Sequence, residues 1–319
     1  MTLMCTMETP SGQDLGQELR DAYIATARDE KFEAVFDRLL RTDGQGNTLP
    51  IPRHFTRTFE TRGLMVLAKS GAGKTRMIER ALSRHPAMQP DATRQRPWIA
   101  ARVPSPATTK GLGVAILKAT EYPDVNTRRV EREIWDIVRH RLSELGTIVL
   151  WIDEAQDLFG KSSPKDTQNI LNLLKAQMQG EGSVIVILSG VDALQQIAAT
   201  DRQITRRFNK MRLQDIDAGA DADMLRGIVA SYCRKAGLDA PSFEDELLGR
   251  MIHAAQSRLG QFIEYLLDTI DIALDEGATA LERGHFVEAY AVKSSCAPAE
   301  NVYLTRYWSK IDVERITGD

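Results

Sequence analysis

The residues Ala68-Lys69-Ser70-Gly71-Ala72-Gly73-Lys74-Thr75 stand between an apolar run, "GLMVLAKS", and a helical run. They follow the phosphate-binding pattern G-x-x-x-x-G-K-[ST], with Ala68 in place of the first glycine. Successive backbone N–H groups in such a loop form a concavity for an anion. Glycine lets the backbone approach without a Cβ, and the following helix turns its positive end to the same place. Ser70, Gly71, Ala72, Gly73, Lys74, Thr75 and Arg76 are therefore the candidates for holding a nucleotide. Lys74 would place a point charge on the β- and γ-phosphates, and the Thr75 hydroxyl would ligate a metal, so ATP and Mg2+ are the expected cofactors. Ala68 fits the first turn if its φ is negative.

A second constellation is "TIVLWIDEAQDL", an apolar strand ending in Asp153 and Glu154. Downstream of a phosphate-binding loop, Asp153 is expected to hold Mg2+ and Glu154 to orient and polarise the attacking water. Adjacent residues at a strand end point to different sides, so the two acids can divide these roles. Ser189, at the end of "SVIVILSG", either reaches the γ-phosphate region from a neighbouring strand or merely starts a turn with Gly190. Arg206 and Arg207 in "DRQITRRFNK" are candidates for an arginine supplied to a neighbouring subunit's phosphates, or are surface charges and salt-bridge partners. Arg258, early in a later helix, is either a γ-phosphate contact that couples to nucleotide state or a solvated helix arginine.

The elements that must position these residues alternate. Strands are expected at "GLMVLAKS", "PWIAARV", "TIVLWID", "SVIVILSG" and "NKMRLQDI", with helices between them. Continuous apolar strands alternating with helices mean a parallel sheet buried on both faces. In "NTRRVEREIWDIVRHRLSELG", Val130, Ile134, Val138 and Leu142 recur at spacing four, with Asn126 as the expected N-cap and Gly146 as the stop. From about residue 217 the strands cease and four helical patterns follow.

The bounds are ordinary. The chain has 319 residues, 43% hydrophobic and 27% charged, which suits a soluble globular protein of more than one domain. A formal net charge of −3 gives no overall basic footprint, so any nucleic-acid contact must come from a local patch or from subunits in line. Cys5, Cys233 and Cys296 are far apart and form no CxxC, which argues for a reducing compartment, without disulfides or a zinc site. The first residues lack the basic and apolar regions of a secretory signal, and no apolar run could span a bilayer. A cytoplasmic protein is expected.

Together these features resemble the AAA+ ATPases, and most closely the TniB and TnsC-like transposition regulators of bacteria. The resemblance covers about residues 50 to 290 and rests on "IDEAQDL", "ILSGVDALQQIAATDRQITRRF" and "VPSPATTKGLGVAILKATEYP". Glu121 stands where that family usually has glycine, and Asn301-Val302-Tyr303 where Asn-Pro-Phe is expected. The resemblance implies an α/β P-loop NTPase fold with a five-stranded parallel sheet flanked by helices, followed by a small all-helical lid domain. It implies an ATPase that assembles as a homo-oligomer, ring or helical filament, on double-stranded target DNA. It further implies recruitment of a DDE-type transposase, partnership with a target-selector protein, and disassembly on hydrolysis. Another AAA+ ATPase without DNA wrapping (a helicase loader, a secretion-associated or a signalling ATPase) is the alternative. A nucleotide-gated module with negligible turnover would not need Glu154.

On this reading residues 1–16 are a disordered terminus and 17–60 a helical extension and linker. Residues 61–216 are the nucleotide-binding domain, 217–292 the lid and 293–319 a tail. The DNA candidates are Thr108, Thr109 and Lys110, small or basic residues opening a helix after the second strand and suited to phosphate contacts without base readout. Ser105 or Thr108 as a plain helix cap is the other reading.

Overall fold

A computed structural model of the chain describes residues 12–105, 107–123, 125–159, 164–243 and 246–318. Most of the expected disordered terminus lies outside the described residues; its last five residues begin a helix, α1 (Gly12–Asp21). Then come α2 (Ala27–Asp37) and a hairpin of β1 (Leu40–Thr42) and β2 (Thr48–Pro52). The central run is β3 (Gly63–Leu67), α3 (Lys74–Arg84), β4 (Trp98–Arg102), α4 (Thr109–Ala119), α5 (Glu131–Glu144), β5 (Val149–Asp153), α6 (Pro164–Gln177) and β6 (Ile185–Gly190). It closes with α7 (Ala193–Ala198), α8 (Arg202–Arg207) and β7 (Phe208–Arg212). After these come α9 (Ala222–Ala236), α10 (Leu247–Ala254), α11 (Leu259–Asp275), α12 (Arg283–Ser294) and α13 (Val313–Thr317).

The chain divides into two compact units, one of residues 27–214 and one formed by the described residues before and after them. In the first unit the five expected strands form one parallel sheet in the order β4-β5-β6-β3-β7. Alternate residues of each strand go to opposite faces, as the strand period requires. Leu64, Val66, Val149, Trp151, Ile185 and Ile187 pack with Phe36, Met77, Ile78 and Leu82 on one side. Met65, Leu67, Leu150, Ile152, Val186 and Leu188 pack with Ile116, Ile134, Val138 and Leu171 on the other. Burying each such side chain contributes about 1.5–3 kcal/mol before entropy is counted.

Local differences from the sequence pattern have local causes. The stretch expected as a linker contains the β1–β2 hairpin. Asp43 closes its turn by accepting from the N–H of Gln45 (2.8 Å) and Asn47 (2.9 Å) and from the Asn47 amide (2.9 Å). Asn126 does not cap α5; its side chain accepts from Arg128 N–H at 3.0 Å, closing a turn, and the helix begins five residues later. Val130 is accordingly exposed, while Ile134, Val138 and Leu142 are buried. Gly146 does end α5, with a φ of 64°.

The second unit also departs from the expected boundaries. Residues 17–60 are not one extension: α1 belongs to this unit and α2 to the other. Tyr232 on α9 donates to Ala22 O at 3.0 Å, just after α1, and Leu19 is buried in the same core as Leu225, Ile228, Leu266 and Phe286. The expected tail is part of that core as well. Val302 and Tyr303 are buried, and the Asn301 amide donates to Val287 O at 2.9 Å. Arg250 donates to the carbonyls of Val302 (2.6 Å) and Thr305 (2.8 Å). Among the described residues no helix is long and apolar enough to cross a membrane.

Gly63 opens β3 where a Cβ would lie 2.4 Å from Val186 O and 2.5 Å from the Phe208 ring. A carbonyl within the sheet cannot retreat. Gly63→Ala is therefore expected to lower unfolding free energy by about 1–3 kcal/mol, measured by urea denaturation.

Candidate functional site

The C-terminal ends of β3, β5 and β6 bring the candidate residues together. β3 leads into the loop 68–73, whose positive φ values fall on Gly71 (73°) and Gly73 (88°). Ala68 lies outside the left-handed region, so alanine is accommodated there. Its N–H donates to Gly190 O at 3.1 Å, which joins the loop to β6. Gly73 is the N-cap of α3 and no side chain caps that end, so the first amides of the helix are left for the loop's concavity. Lys74 is buried, and its ammonium donates to Ala68 O (3.0 Å) and Lys69 O (3.1 Å) across the loop. Ser70, Thr75 and Arg76 are exposed.

Asp153 is the point where the segments meet. Its Oδ2 accepts from the Thr75 hydroxyl at 2.8 Å, and its Oδ1 accepts from the Ser189 hydroxyl. Ser189 in turn accepts from the Trp151 indole N–H at 2.7 Å. Ser189 is fully buried, and both of its bonds run to the acid strand. Beyond the two expected readings, a γ-phosphate contact or a turn start, this hydroxyl holds Asp153. Glu154 follows in the left-handed region, with φ 51° and ψ 41°. A non-glycine residue held there is strained, which is a feature of functional sites. Its Oε2 accepts from the Gln156 amide at 2.7 Å.

Among the described residues no group of three or more His, Cys, Asp or Glu side chains is arranged to hold a metal. The Thr75 and Asp153 oxygens beside the loop fit Mg2+, which takes one or two protein oxygens and completes its shell with phosphate and water.

The two arginines at the end of α8 are not equivalent. The Arg207 side chain is 7% exposed and donates to Glu60 Oε2 (2.7 Å), Lys175 O (3.2 Å) and the Gln179 side chain (3.3 Å). It is an internal tie, the salt-bridge partner of the two expected readings. Arg206 is 66% exposed and reaches Glu60 only at 3.4 Å. Asp201 caps α8 through the N–H groups of Gln203 (2.7 Å) and Ile204 (3.2 Å). Burial would raise its carboxyl, but Gln168, Lys175 and the two amides outweigh burial and hold it well below the ordinary range.

The DNA candidates divide as well. Thr108 is the N-cap of α4 and accepts from Gly111 N–H at 2.9 Å. The Thr109 hydroxyl donates to Glu131, and its carbonyl accepts from the Trp135 indole at 3.2 Å. The Thr109 hydroxyl thus spends its hydrogen on Glu131, whereas that of Thr108 accepts in the cap and keeps its own hydrogen. Lys110 is half-buried and makes no ion pair among the described residues. Arg258 lies in the other unit, buried ahead of α11, with Glu314 at 3.9 Å. It is not a solvated helix residue.

A sequence profile of the bacterial TniB protein matches residues 54–217, just over half of the chain. The chain belongs to the TniB family. Comparison with curated proteins finds no significant match. Among solved structures it is similar to the ORC2 protein of Aeropyrum pernix in ADPNP–ADP complexes, at 14% identity and TM-score 0.59, covering 89% of this chain and 72% of that one. It is similar to Cdc6p of Pyrobaculum aerophilum at 14% identity and TM-score 0.61, covering 86% and 69%. It is also similar to the Aeropyrum pernix ORC1 protein in complex with DNA at 16% identity and TM-score 0.60, again covering 86% and 69%. The fold is that of the AAA+ P-loop proteins, and as a TniB family member the chain is an ATPase. Glu121 has a φ of 54°, a left-handed conformation that favours glycine, and its side chain pairs with Arg96.

Sequence reasoning missed Trp151, Gln156 and Glu60. The first two lay inside quoted motifs but carried no pattern of their own, and nothing around Glu60 announced a buried carboxylate.

Arg207→Ala leaves Glu60 buried without its close partner and is expected to cost about 3–5 kcal/mol in denaturant unfolding. Arg206→Ala is expected to stay within about 0.5 kcal/mol of wild type in the same experiment. Asp201 has a lowered folded-state pKa, so its contribution is complete above the unfolded carboxyl value of about 4 and is lost as pH falls towards the folded value. Asp201→Asn should therefore be less stable than wild type at pH 7, with the gap closing on acidification, as read from thermal unfolding against pH.

Proposed function

We propose that the protein is an ATP-dependent transposition regulator that oligomerises on double-stranded DNA, recruits a DDE-type transposase with a target-selector protein, and leaves DNA when ATP is hydrolysed. The observation that carries this reading is the TniB match across the unit that contains the loop and the acid pair. A similar fold is found in a protein solved in complex with DNA.

The geometry supports the following roles. The amides of Ser70 to Thr75 and the Lys74 ammonium receive the phosphates, with Arg76 exposed beside them. Thr75 and Asp153 hold Mg2+, which when bound offsets phosphate charge. Ser189 keeps Asp153 aimed at Thr75. Glu154, held by one oxygen, orients water with the other. Arg206 is the arginine offered in trans, since its fellow is buried. The backbone contact to DNA falls on Lys110, one cation per subunit repeated along an assembly.

Imaging the protein with duplex DNA, with and without a non-hydrolysable ATP analogue, tests the reading. Nucleotide-dependent rings or filaments on DNA are expected; particles indifferent to DNA would leave an AAA+ ATPase of another class. Lys74→Ala is expected to abolish nucleotide binding and assembly. Glu154→Gln is expected to lower kcat by about 10²–10⁴ and to trap the assembly on DNA. DNA release from Glu154→Gln at the wild-type rate would remove Glu154 from this role.

A further inference from the structure

Gln156 lies two residues beyond the acid pair, in the short 3-10 turn Ala155–Leu158. Neither the loop motif nor the acid pair requires an amide there, yet both ends of this amide are engaged. Nε2 donates to Glu154 Oε2 at 2.7 Å and to Asp157 Oδ1 at 3.2 Å. Oε1 accepts from the N–H of Val191, the first residue after β6, at 3.2 Å. Gly190 makes the room: a Cβ on it would lie 2.2 Å from Gln156 Oε1. Among the described residues no hydrogen bond reaches the other oxygen of Glu154.

The two acids are thus both referenced to the end of one neighbouring strand. Ser189 holds Asp153, and two residues later Val191 holds Glu154 through Gln156. Only a side chain with a donor and an acceptor on one rigid plane makes this link; glutamate lacks the donor and methionine lacks both strong groups. Glu154 needs such support, because its left-handed backbone is not a conformation it would keep unaided.

We propose that Gln156 is a positioning residue for ATP hydrolysis, fixing the Glu154 carboxylate by one oxygen against the end of β6 and leaving the other for the attacking water. The inference rests on the base role given to Glu154 above.

Steady-state ATPase kinetics and ATP-analogue binding test it in Gln156→Met, Gln156→Ala, Gly190→Ala, Glu154→Gln and the doubles. Gln156→Met keeps the length of the side chain and removes the amide. It is expected to lower kcat about 10–100-fold, no more than the 10²–10⁴ that a positioned base contributes, with analogue affinity unchanged. Gly190→Ala should reach a similar loss from the other strand, and combining it with Gln156→Ala should be no worse than either alone, since both break one contact. Adding Gln156→Met to Glu154→Gln should change nothing further. Wild-type kcat in Gln156→Met while Glu154→Gln is inactive overturns the inference and leaves Glu154 as the base. A further loss in the Glu154→Gln background, or a loss confined to nucleotide affinity, assigns Gln156 a task unrelated to Glu154 and also overturns it. Full activity of Glu154→Gln would overturn both.

Discussion

The carboxylate of Asp153 is the constraint around which the site is built. Each of its oxygens accepts a hydroxyl hydrogen bond from a different part of the chain, Thr75 at the start of α3 and Ser189 at the end of β6. Hydrogen bonds to an ionised acceptor are among the stronger ones in proteins, and they are directional. This one group therefore sets where the loop helix begins relative to two strands. It can do so because of the sheet order. β6 runs between β3 and β5 in parallel register, with Ser189 opposite Val66 and Leu188 opposite Ile152. The three strand ends arrive level, and the side chains need only to be short and polar to meet. The Trp151 indole completes the arrangement by giving the buried Ser189 oxygen a donor. A hydroxyl that accepts from tryptophan and donates to aspartate has a fixed direction, so the carboxylate it serves is fixed too.

A second electrostatic arrangement works by burial. Glu60, three residues before β3, is buried and faces two adjacent arginines from α8. Adjacent helix positions differ in azimuth by about 100°, so one guanidinium turns inward and one outward. The inward pair is desolvated and short, and it fastens α8 to the entry of the loop strand. The outward arginine shares the same carboxylate at longer range. That leaves its cation in solvent with a loose tether, a geometry suited to a partner that arrives from outside.

Much of the architecture was legible because it rests on composition within one segment. The five strands are continuous apolar runs, and a run buried on both faces needs no information from elsewhere. The loop motif and the acid pair were legible for the same reason. What escaped depends on neighbours remote in sequence. The spacing of Ser189 does not reveal that β6 lies beside β5, so its bond to Asp153 could not be read. Nothing in Arg206-Arg207 says which faces Glu60, since the helix phase is set by packing. Thr108 and Thr109 looked alike until α4 used the first as a cap acceptor and Glu131 on α5 took the hydrogen of the second. The β1–β2 hairpin was missed for a different reason. Its Asp, Gly and Asn residues are turn formers as well as linker formers, and only the pairing of Thr42 with Thr48 separates the two meanings.

The helical unit is assembled from both sides of the nucleotide-binding unit: α1 precedes it, and α9 to α13 follow. On a ribosome these pieces are made far apart in time. Residues 27–214 separate them, and at about 5–20 residues per second that is a delay of roughly 10–40 s. During it α1 has no core to join, because its apolar residues Leu15 and Leu19 pack on residues not yet synthesised. The sheet, by contrast, holds all its partners within one continuous segment and can close as soon as β7 emerges. Synthesis therefore imposes an order in which the nucleotide-binding unit is complete while the unit that carries Arg258 is still a loose helix.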